Sequence, residues 1–446
     1  MSRWAGWIVT LAMTATPIAA QPPQLAGCEV FPRNNIWNIR VDGLPLDERS
    51  ATYVATIGRD APVHPDFGSG DYPPGSGSPI GIPWIGVPAS QPRVPVAFLY
   101  AEESDPGPYP IPGDPPIEGG PDADGDRHVL VVDRDRCRLY ELFYAFPEDD
   151  GSWRADSGAV FDLGSNALRP ETWTSADAAG LPILPGLVRF EEVAAGEIRH
   201  ALRFTAPQTR RAFVWPARHF ASSLTGSRYP PMGQRFRLRA DFDVSGFSPR
   251  NRVILTALKR YGMMLADNGS AWFLSGVPDE RWDNDQLREL RQVRGADFEA
   301  VDVSSLLVDP DSGATDLGDD DDDDGGEPFV CAADATTLCL NRGRFRVRVS
   351  WRDFEEHAGQ GRVVPFAADD SGLLWFFADD NWEMLVKVLD GCAFNGRYWV
   401  FAAATTDVAY RLEVADSLTG AVRTYRNLLG RASPAITDTT AFDSCP

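Results

Sequence analysis

Six consecutive aspartates, Asp319–Asp324, lie within DPDSGATDLGDDDDDDGGE, the stretch from Asp309 to Glu327. No core can admit such a run. Like charges repel, the flanking glycines add chain entropy, and the segment is expected to be a solvated, extended linker. It cuts the chain into a large unit, residues 28–308, and a small one, residues 328–446, each of which has to bury its own apolar surface. The chain has 446 residues, so both parts are long enough to do so. A flexible polyaspartate lacks the shaped cage that gives calcium affinity, and the run is not read as a metal site.

Within the large unit, prolines and glycines crowd between Pro62 and Pro121. Repeated loss of backbone donors excludes regular helix and central strand there. Tyr72, Trp84, Phe98, Tyr100 and Tyr109 are interspersed through this region, which points to an ordered loop lying across a sheet. From His128 onward come strand-sized apolar segments: HVLVVD, CRLYELFYAF, GAVFDL, EIRHALRFT, AFVWPA and QRFRLRADFDV. MMLADNGSAWFLSG follows and is long enough for a hairpin turning at Asn268-Gly269. Two segments carry helical spacing, RNRVILTALKRYG and NDQLRELRQV. FEEVAAGEI is read as a turn, with Glu191, Glu192 and Glu197 as solvent carboxylates. The expected class is mainly β, a jelly-roll-like antiparallel β-sandwich with a few short helices.

The small unit alternates cleanly and reads as an immunoglobulin-like β-sandwich. Its markers are Leu338-Cys339-Leu340-Asn341, Arg344-Phe345, Trp351, Trp375-Phe376-Phe377, Val386-Lys387-Val388-Leu389-Asp390-Gly391 and Trp399-Val400-Phe401. On these residues it resembles a recurrent C-terminal module of exported bacterial proteins. The resemblance covers the last quarter of the chain and implies surface retention or ligand binding, or a stabilising cap with no partner. The large unit is similar to exported bacterial proteins of unassigned function, a likeness that carries over no catalytic residue.

Compartment follows from the first residues and the cysteines. Arg3, an apolar run from Trp4 to Ala15 and the small residues Ala19 and Ala20 are laid out as a secretory signal peptide over residues 1–20. Leu25-Ala26-Gly27-Cys28 matches a lipobox, but polar residues and prolines separate it from the apolar run, so a lipid anchor on Cys28 is the secondary reading. An even set of six cysteines in an exported chain implies disulfides, and the expected pairs are Cys28–Cys137, Cys331–Cys339 and Cys392–Cys445. No further stretch is apolar enough to span a membrane. The net charge of −22 argues against nucleic acid and anionic membrane surfaces as partners.

Candidate chemistry concentrates between Glu141 and Asp267. Alternation in RCRLYELFYAF turns Glu141 toward an apolar face, where it is either half of a buried Glu–Arg pair or a carboxyl of raised pKa suited to acid catalysis. Alternation in EIRHALRFT likewise turns His200 inward, as a satisfied core histidine or a functional one. Asp177 sits in a loop braced by Pro182 and Pro185, with Trp173 at its head, and Asp267 ends a strand. Two carboxylates across a cleft make a glycosidase pair, and Glu141 with Asp177 is the pair expected, His200 assisting. Arg235, Arg237 and Arg239 share one face of a strand: a row for acidic sugars if concave, solvated charge if not. With His200, His219 or Tyr261 as base, that row suggests eliminative cleavage of a uronate polymer. Asp122, Asp124 and Asp126 match part of a calcium loop without its distal glutamate, so calcium is at most structural and no other cofactor is expected. No zinc motif occurs.

These readings converge on an exported, monomeric, polysaccharide-active protein. A glycoside hydrolase using a carboxylate pair is the first expectation, with Glu141, Asp177 and His200 catalytic and Arg235, Arg237, Arg239, His219, Asp267 and Trp173 holding substrate. A uronate lyase and a non-catalytic carbohydrate-binding surface protein are the alternatives.

Overall fold

The computed structural model describes residues 22–315, 329–355, 357–427 and 429–445. The expected signal segment and the aspartate run lie outside the described residues. The fold is mainly β, with several antiparallel sheets and few short helices, and belongs to the β-sandwich class.

The large unit opens with a short pair, β1 (Gln24–Leu25) and β2 (Cys28–Glu29). Its largest sheet has six strands in the order β15-β12-β13-β11-β14-β3. These are β3 (His64–Asp66), β11 (Leu202–Ala206), β12 (Arg235–Leu238), β13 (Met263–Asn268), β14 (Phe273–Ser275) and β15 (Phe298–Ala300). A four-stranded sheet runs β10-β7-β6-β4, from β4 (Trp84–Val87), β6 (Val129–Asp133), β7 (Arg138–Phe143) and β10 (Ser157–Asp162). A three-stranded sheet joins β5 (Val96–Phe98), β9 (Trp153–Ala155) and β8 (Phe146–Pro147).

The four-stranded sheet is the middle layer, because its two faces feed different cores. Leu130, Val132, Leu139 and Ala159 join the main cluster with Phe204, Phe236 and Trp272, while Val129, Val131, Tyr140 and Leu142 pack with Trp153 and Tyr109. Four strand pairs of the large unit are parallel, β4–β6, β5–β9, β11–β13 and β14–β3, a mixture that apolar alternation does not disclose. Helix α1 (Ser50–Ile57) packs on β15, and α2 (Phe190–Ala195) packs on α3 (Pro249–Arg260). In α3, Pro249 opens the first turn, Ile254, Leu255, Ala257 and Leu258 form the buried face, and Lys259 and Arg260 complement the dipole at the end. The segment NDQLRELRQV forms α4 (Asn284–Leu287), which continues as 3-10 helix to Gln292.

Four sequence expectations require correction. FEEVAA is a helix, not a turn: Glu191 and Glu192 occupy its first turn and Gly196 closes it at φ 92°. EIRHALRFT is strand only from Leu202 onward. AFVWPA forms no strand, making a single bridge from Phe213 to Met232. MMLADNGSAWFLSG is not a hairpin, since β11 lies between β13 and β14 and pairs with both.

The small unit folds as two five-stranded antiparallel sheets closing on one core. One holds β16 (Leu338–Leu340), β17 (Phe345–Arg352), β18 (Ala358–Gln360), β23 (Ala409–Asp416) and β24 (Val422–Asn427). The other holds β19 (Arg362–Ala367), β20 (Ser371–Trp375), β21 (Met384–Gly391), β22 (Arg397–Ala404) and β25 (Ile436–Phe442), with α5 (Cys392–Asn395) between β21 and β22. Phe345, Val347 and Leu412 meet Val386, Val400 and Phe442 between the sheets. The disulfides are Cys28–Cys137, Cys331–Cys339 and Cys392–Cys445, the expected pairing. Asp309–Thr315, read as the start of the linker, is fastened to the large unit: Arg218 donates to the Pro310 carbonyl, Trp215 to that of Ser312, and Ala314 bridges to Asn35. No helix of the described residues is long and apolar enough to cross a membrane.

Candidate active site

The six-stranded sheet lays out a row of polar side chains by register alone. Thr205 of β11 is opposite Asp267 of β13 and Phe273 of β14, and Ser275 of β14 is opposite Asp66 of β3. Directly paired residues share a face, so Asp267, Thr205, Ser275 and Asp66 project from the same side, joined by Arg203 two residues before Thr205. Leu202, Phe204 and Leu274 point the other way, into the main core.

Arg203 is the hub. Its side chain is buried and donates to both oxygens of Asp177 at 2.7 and 2.8 Å, to Ser275 Oγ at 2.6 Å and to Asp267 at 3.4 Å. Burial opposes its charge, but Asp177 outweighs burial and holds the guanidinium protonated. Asp177 arrives on the loop that runs from Trp173 to Val188, whose apolar residues Ala179, Leu181, Ile183 and Leu187 are buried. That loop reaches the middle sheet as well. The N–H groups of Ile183 and Leu184 donate to the Glu141 carboxylate of β7 at 2.9–3.0 Å, and Ser175 Oγ accepts from the Asp177 N–H. Burial raises the Glu141 carboxyl to about 7 even so, because two peptide dipoles offset only part of the lost hydration.

A further acid, Glu118, approaches Arg203 from the proline-rich loop before β6. Glu118 Oε2 lies 2.5 Å from His128 Nδ1, and His128 Nε2 lies 3.0 Å from the Ala176 carbonyl. A carbonyl only accepts, so Nε2 carries a proton and Nδ1 shares one with Glu118. Burial works against the imidazolium, yet Glu118 raises it to about 9. Burial likewise lifts Glu118, but His128 and then Arg203 outweigh it and hold the carboxyl below its usual range. Asp267 goes the opposite way: burial, then the charge of Asp177, push it up to about 7 against the pull of Arg203. Asp66 is open to solvent yet ringed by protein, and that enclosure, with the charge of Glu118, raises its carboxyl too.

Accessibility sorts this group into floor and rim. His128, Glu141, Asp177 and Arg203 are closed off, whereas Glu118 and Asp267 keep about a quarter of their side-chain surface, 24% and 23%, and Asp66 and Asp126 are exposed. Glu118, Asp126 and His128 bring donor atoms within 4.8 Å of one another, the one such trio among the described residues. With Nδ1 engaged by Glu118, the trio is an ion pair with a nearby acid, not an open coordination cage. Asp126 is the member of the expected calcium loop that takes part.

The sequence-predicted residues are distributed as follows. Glu141 and Asp177 meet through the Trp173–Val188 loop, but both are buried and neither lines an open cleft. His200 is buried elsewhere, before β11, with Nε2 near Arg189 and Glu192 at 2.9 and 3.1 Å and Nδ1 near the Ala201 carbonyl. Glu192 is therefore no solvent carboxylate. Arg235 is buried against the carbonyls of Tyr261, Ile36 and Ile39, and burial lowers it to about 9. Arg237 holds Glu299 and the carbonyls of Val41, Asp42 and Leu44, and exposed Arg239 pairs with Asp241, so the arginine row serves the fold. His219 bonds the Ala178 carbonyl and Trp173 is half-buried beside Arg169. Of the expected substrate contacts, Asp267 is the one that joins the Arg203 group while keeping access to solvent.

Asp66, Glu118, His128 and Arg203 were not found from sequence. Glu118 lies in a stretch with no period, and Arg203 read as an outward-facing strand residue. The usable signal was alternation itself, which sets Arg203 and Thr205 on a face apart from the core. No family model, curated protein or solved structure matches this chain.

Proposed function

We propose that the large unit is a glycoside hydrolase acting on a polysaccharide outside the reducing cytosol, with Asp267 as proton donor and Glu118 as the ionised carboxylate. One observation carries this reading: two solvent-reachable carboxylates flank the buried Arg203–Asp177 pair and are pushed in opposite directions, Asp267 up to about 7 and Glu118 below its usual range. Acid and base roles separate when environments drive two carboxyls apart in this way. Asp267 would protonate the leaving glycosidic oxygen. Glu118, kept charged by His128, would face the anomeric carbon as nucleophile or as base toward a water. The roles expected of Glu141 and Asp177 are reassigned: they hold the loop and Arg203 in place. Three disulfides support an oxidising compartment, and the C-terminal sandwich is read as an accessory module for glycan or surface retention.

The test is a panel of neutral and acidic glycans assayed for new reducing ends and for the ultraviolet absorbance of unsaturated uronate. Wild-type protein should release reducing ends without that absorbance, and Asp267→Asn and Glu118→Gln should each lose at least about 100-fold in kcat. Full activity in both variants would refute the assignment. Absorbance of unsaturated uronate would mean a lyase, and silence with glycan binding retained would mean a non-catalytic binding protein.

A further inference from the structure

In the small unit, the outer face of the sheet built on β17 is basic. Phe345, Val347 and Val349 point into the core, so Arg346, Arg348, Ser350 and Arg352 point out. Register extends that face across the sheet: Arg348 is opposite Glu413 of β23, Ser350 is opposite Arg411, and Arg411 is opposite Arg426 of β24. The neighbouring positions on β16 and β18, Cys339, Ala358 and Gln360, are uncharged. Five arginines therefore share the outward positions of these strands with a single carboxylate, Glu413, in a chain of net charge −22. Glu413 pairs with Arg411, whereas Arg348 and Arg352 are exposed.

The chain enters the small unit at one end of this face. The Phe329 N–H donates to the Ser417 carbonyl just beyond β23, and the Arg346 guanidinium carbon lies 4.4 Å from the centre of the Phe329 ring. Two residues on, Cys331 is bonded to Cys339, the residue opposite Arg346 in β16. Phe329 is thus pinned beside the first arginine of the row. Residues 325–328 alone separate it from Asp324, a reach of at most about 18 Å. The row from Arg346 to Arg352 is about 20 Å long, and an extended run of six residues spans about the same, so the two match in length as well as in sign. We infer that the aspartate run Asp319–Asp324 docks in cis on the arginine face of β17, β23 and β24. So short a tether holds the run at an effective concentration of about millimolar, which a partner in solution has to exceed. The docked run shields these arginines from external polyanions, and the face is filled by its own chain.

The experiment is carbodiimide coupling of the full chain carrying Arg348→Lys and Arg352→Lys, which keeps the charge of the face and adds two amines to a sequence that otherwise holds only Lys259 and Lys387. At low salt one of the new amines should be joined to Asp319–Asp324 within a single chain, read by mass mapping of the linked peptides. The yield should fall at least about fivefold in 1 M salt, where charges are screened beyond about 3 Å. Coupling confined to Glu413 or to other acids of the small unit would overturn the docking, as would a covalent dimer in place of the internal link, or a yield that salt does not move. A second measurement uses a heparin fragment as probe anion. Asp→Asn at all six positions 319–324 should tighten its binding at least about tenfold, and adding Arg348→Gln with Arg352→Gln should cancel the gain. No gain, or a gain that survives the double arginine change, overturns the inference too.

Discussion

Glu141 and Glu192 are both buried glutamates, and their partners send them in opposite directions. Glu141 receives only peptide N–H groups and is raised to about 7, while for Glu192 burial is outweighed by Arg189 and His200, which hold it at about 2. Full charges compensate for lost hydration where dipoles do not. The sign for Glu192 is that of a depressed acid. Unfolded, it titrates near 4.5, so its stabilisation is complete above that pH and is lost as pH falls toward 2. Across that window the group is worth roughly 3 kcal/mol. Glu192→Gln should lower neutral-pH stability by up to that amount and flatten the acid limb, measured by denaturant unfolding at a series of pH values. An unchanged acid limb would show that Glu192 is not the group responsible. At this scale sequence was a partial guide. Alternation turned Glu141 inward correctly, whereas Glu118 had no periodic neighbours from which its direction could be read.

The decisive element is not a strand but the loop from Trp173 to Val188. It carries Asp177 to one sheet and offers the Ile183 and Leu184 N–H groups to another, so its path sets where Arg203 and Glu141 are held. Gly180 fixes that path at φ 69°, where a Cβ would stand 2.6 Å from the Trp173 carbonyl. Gly180→Ala should cost about 2–3 kcal/mol and displace the loop. Thermal unfolding together with amide exchange at Ile183 checks both consequences; a stable variant with Ile183 still protected would mean the loop tolerates the side chain. Prolines and glycines made this loop legible as rigid. Its burial was not legible, because packing between two sheets is a long-range fact that no local pattern reports. The same limit explains the helix at Phe190–Ala195, too short for periodicity to speak, and the false hairpin at Asn268-Gly269, where a strong local turn signal lost to pairing with β11.

At the scale of the whole molecule, two units and three disulfides divide the labour. Cys28–Cys137 spans 109 residues of sequence, so its closure removes more unfolded-chain freedom than the local Cys331–Cys339 link across 8. Replacing Cys28 and Cys137 by serine should cost the large unit about 4–5 kcal/mol on the chain-entropy model. Amide exchange should accelerate in Val129–Asp133 while Phe345–Arg352, in the small unit, stays protected; equal acceleration in both would show that the two units unfold together. The β content and the disulfide pairs could be read from alternation and cysteine spacing. Strand order could not, since alternation says which face a strand buries and nothing about which neighbour it chooses.

That choice of neighbour has a consequence for how the chain assembles. β13 and β14 follow one another in sequence with only residues 269–272 between them, yet the native sheet seats β11 in the gap. The easiest contact available to a newly made chain is the one the finished protein must not contain. β11 is synthesised before either flanking strand, so it can be present when β13 and β14 emerge and can occupy the place a premature hairpin would fill. Vectorial synthesis thus favours the native order, whereas a chain released whole from denaturant meets both options at once, and the shorter loop closes first.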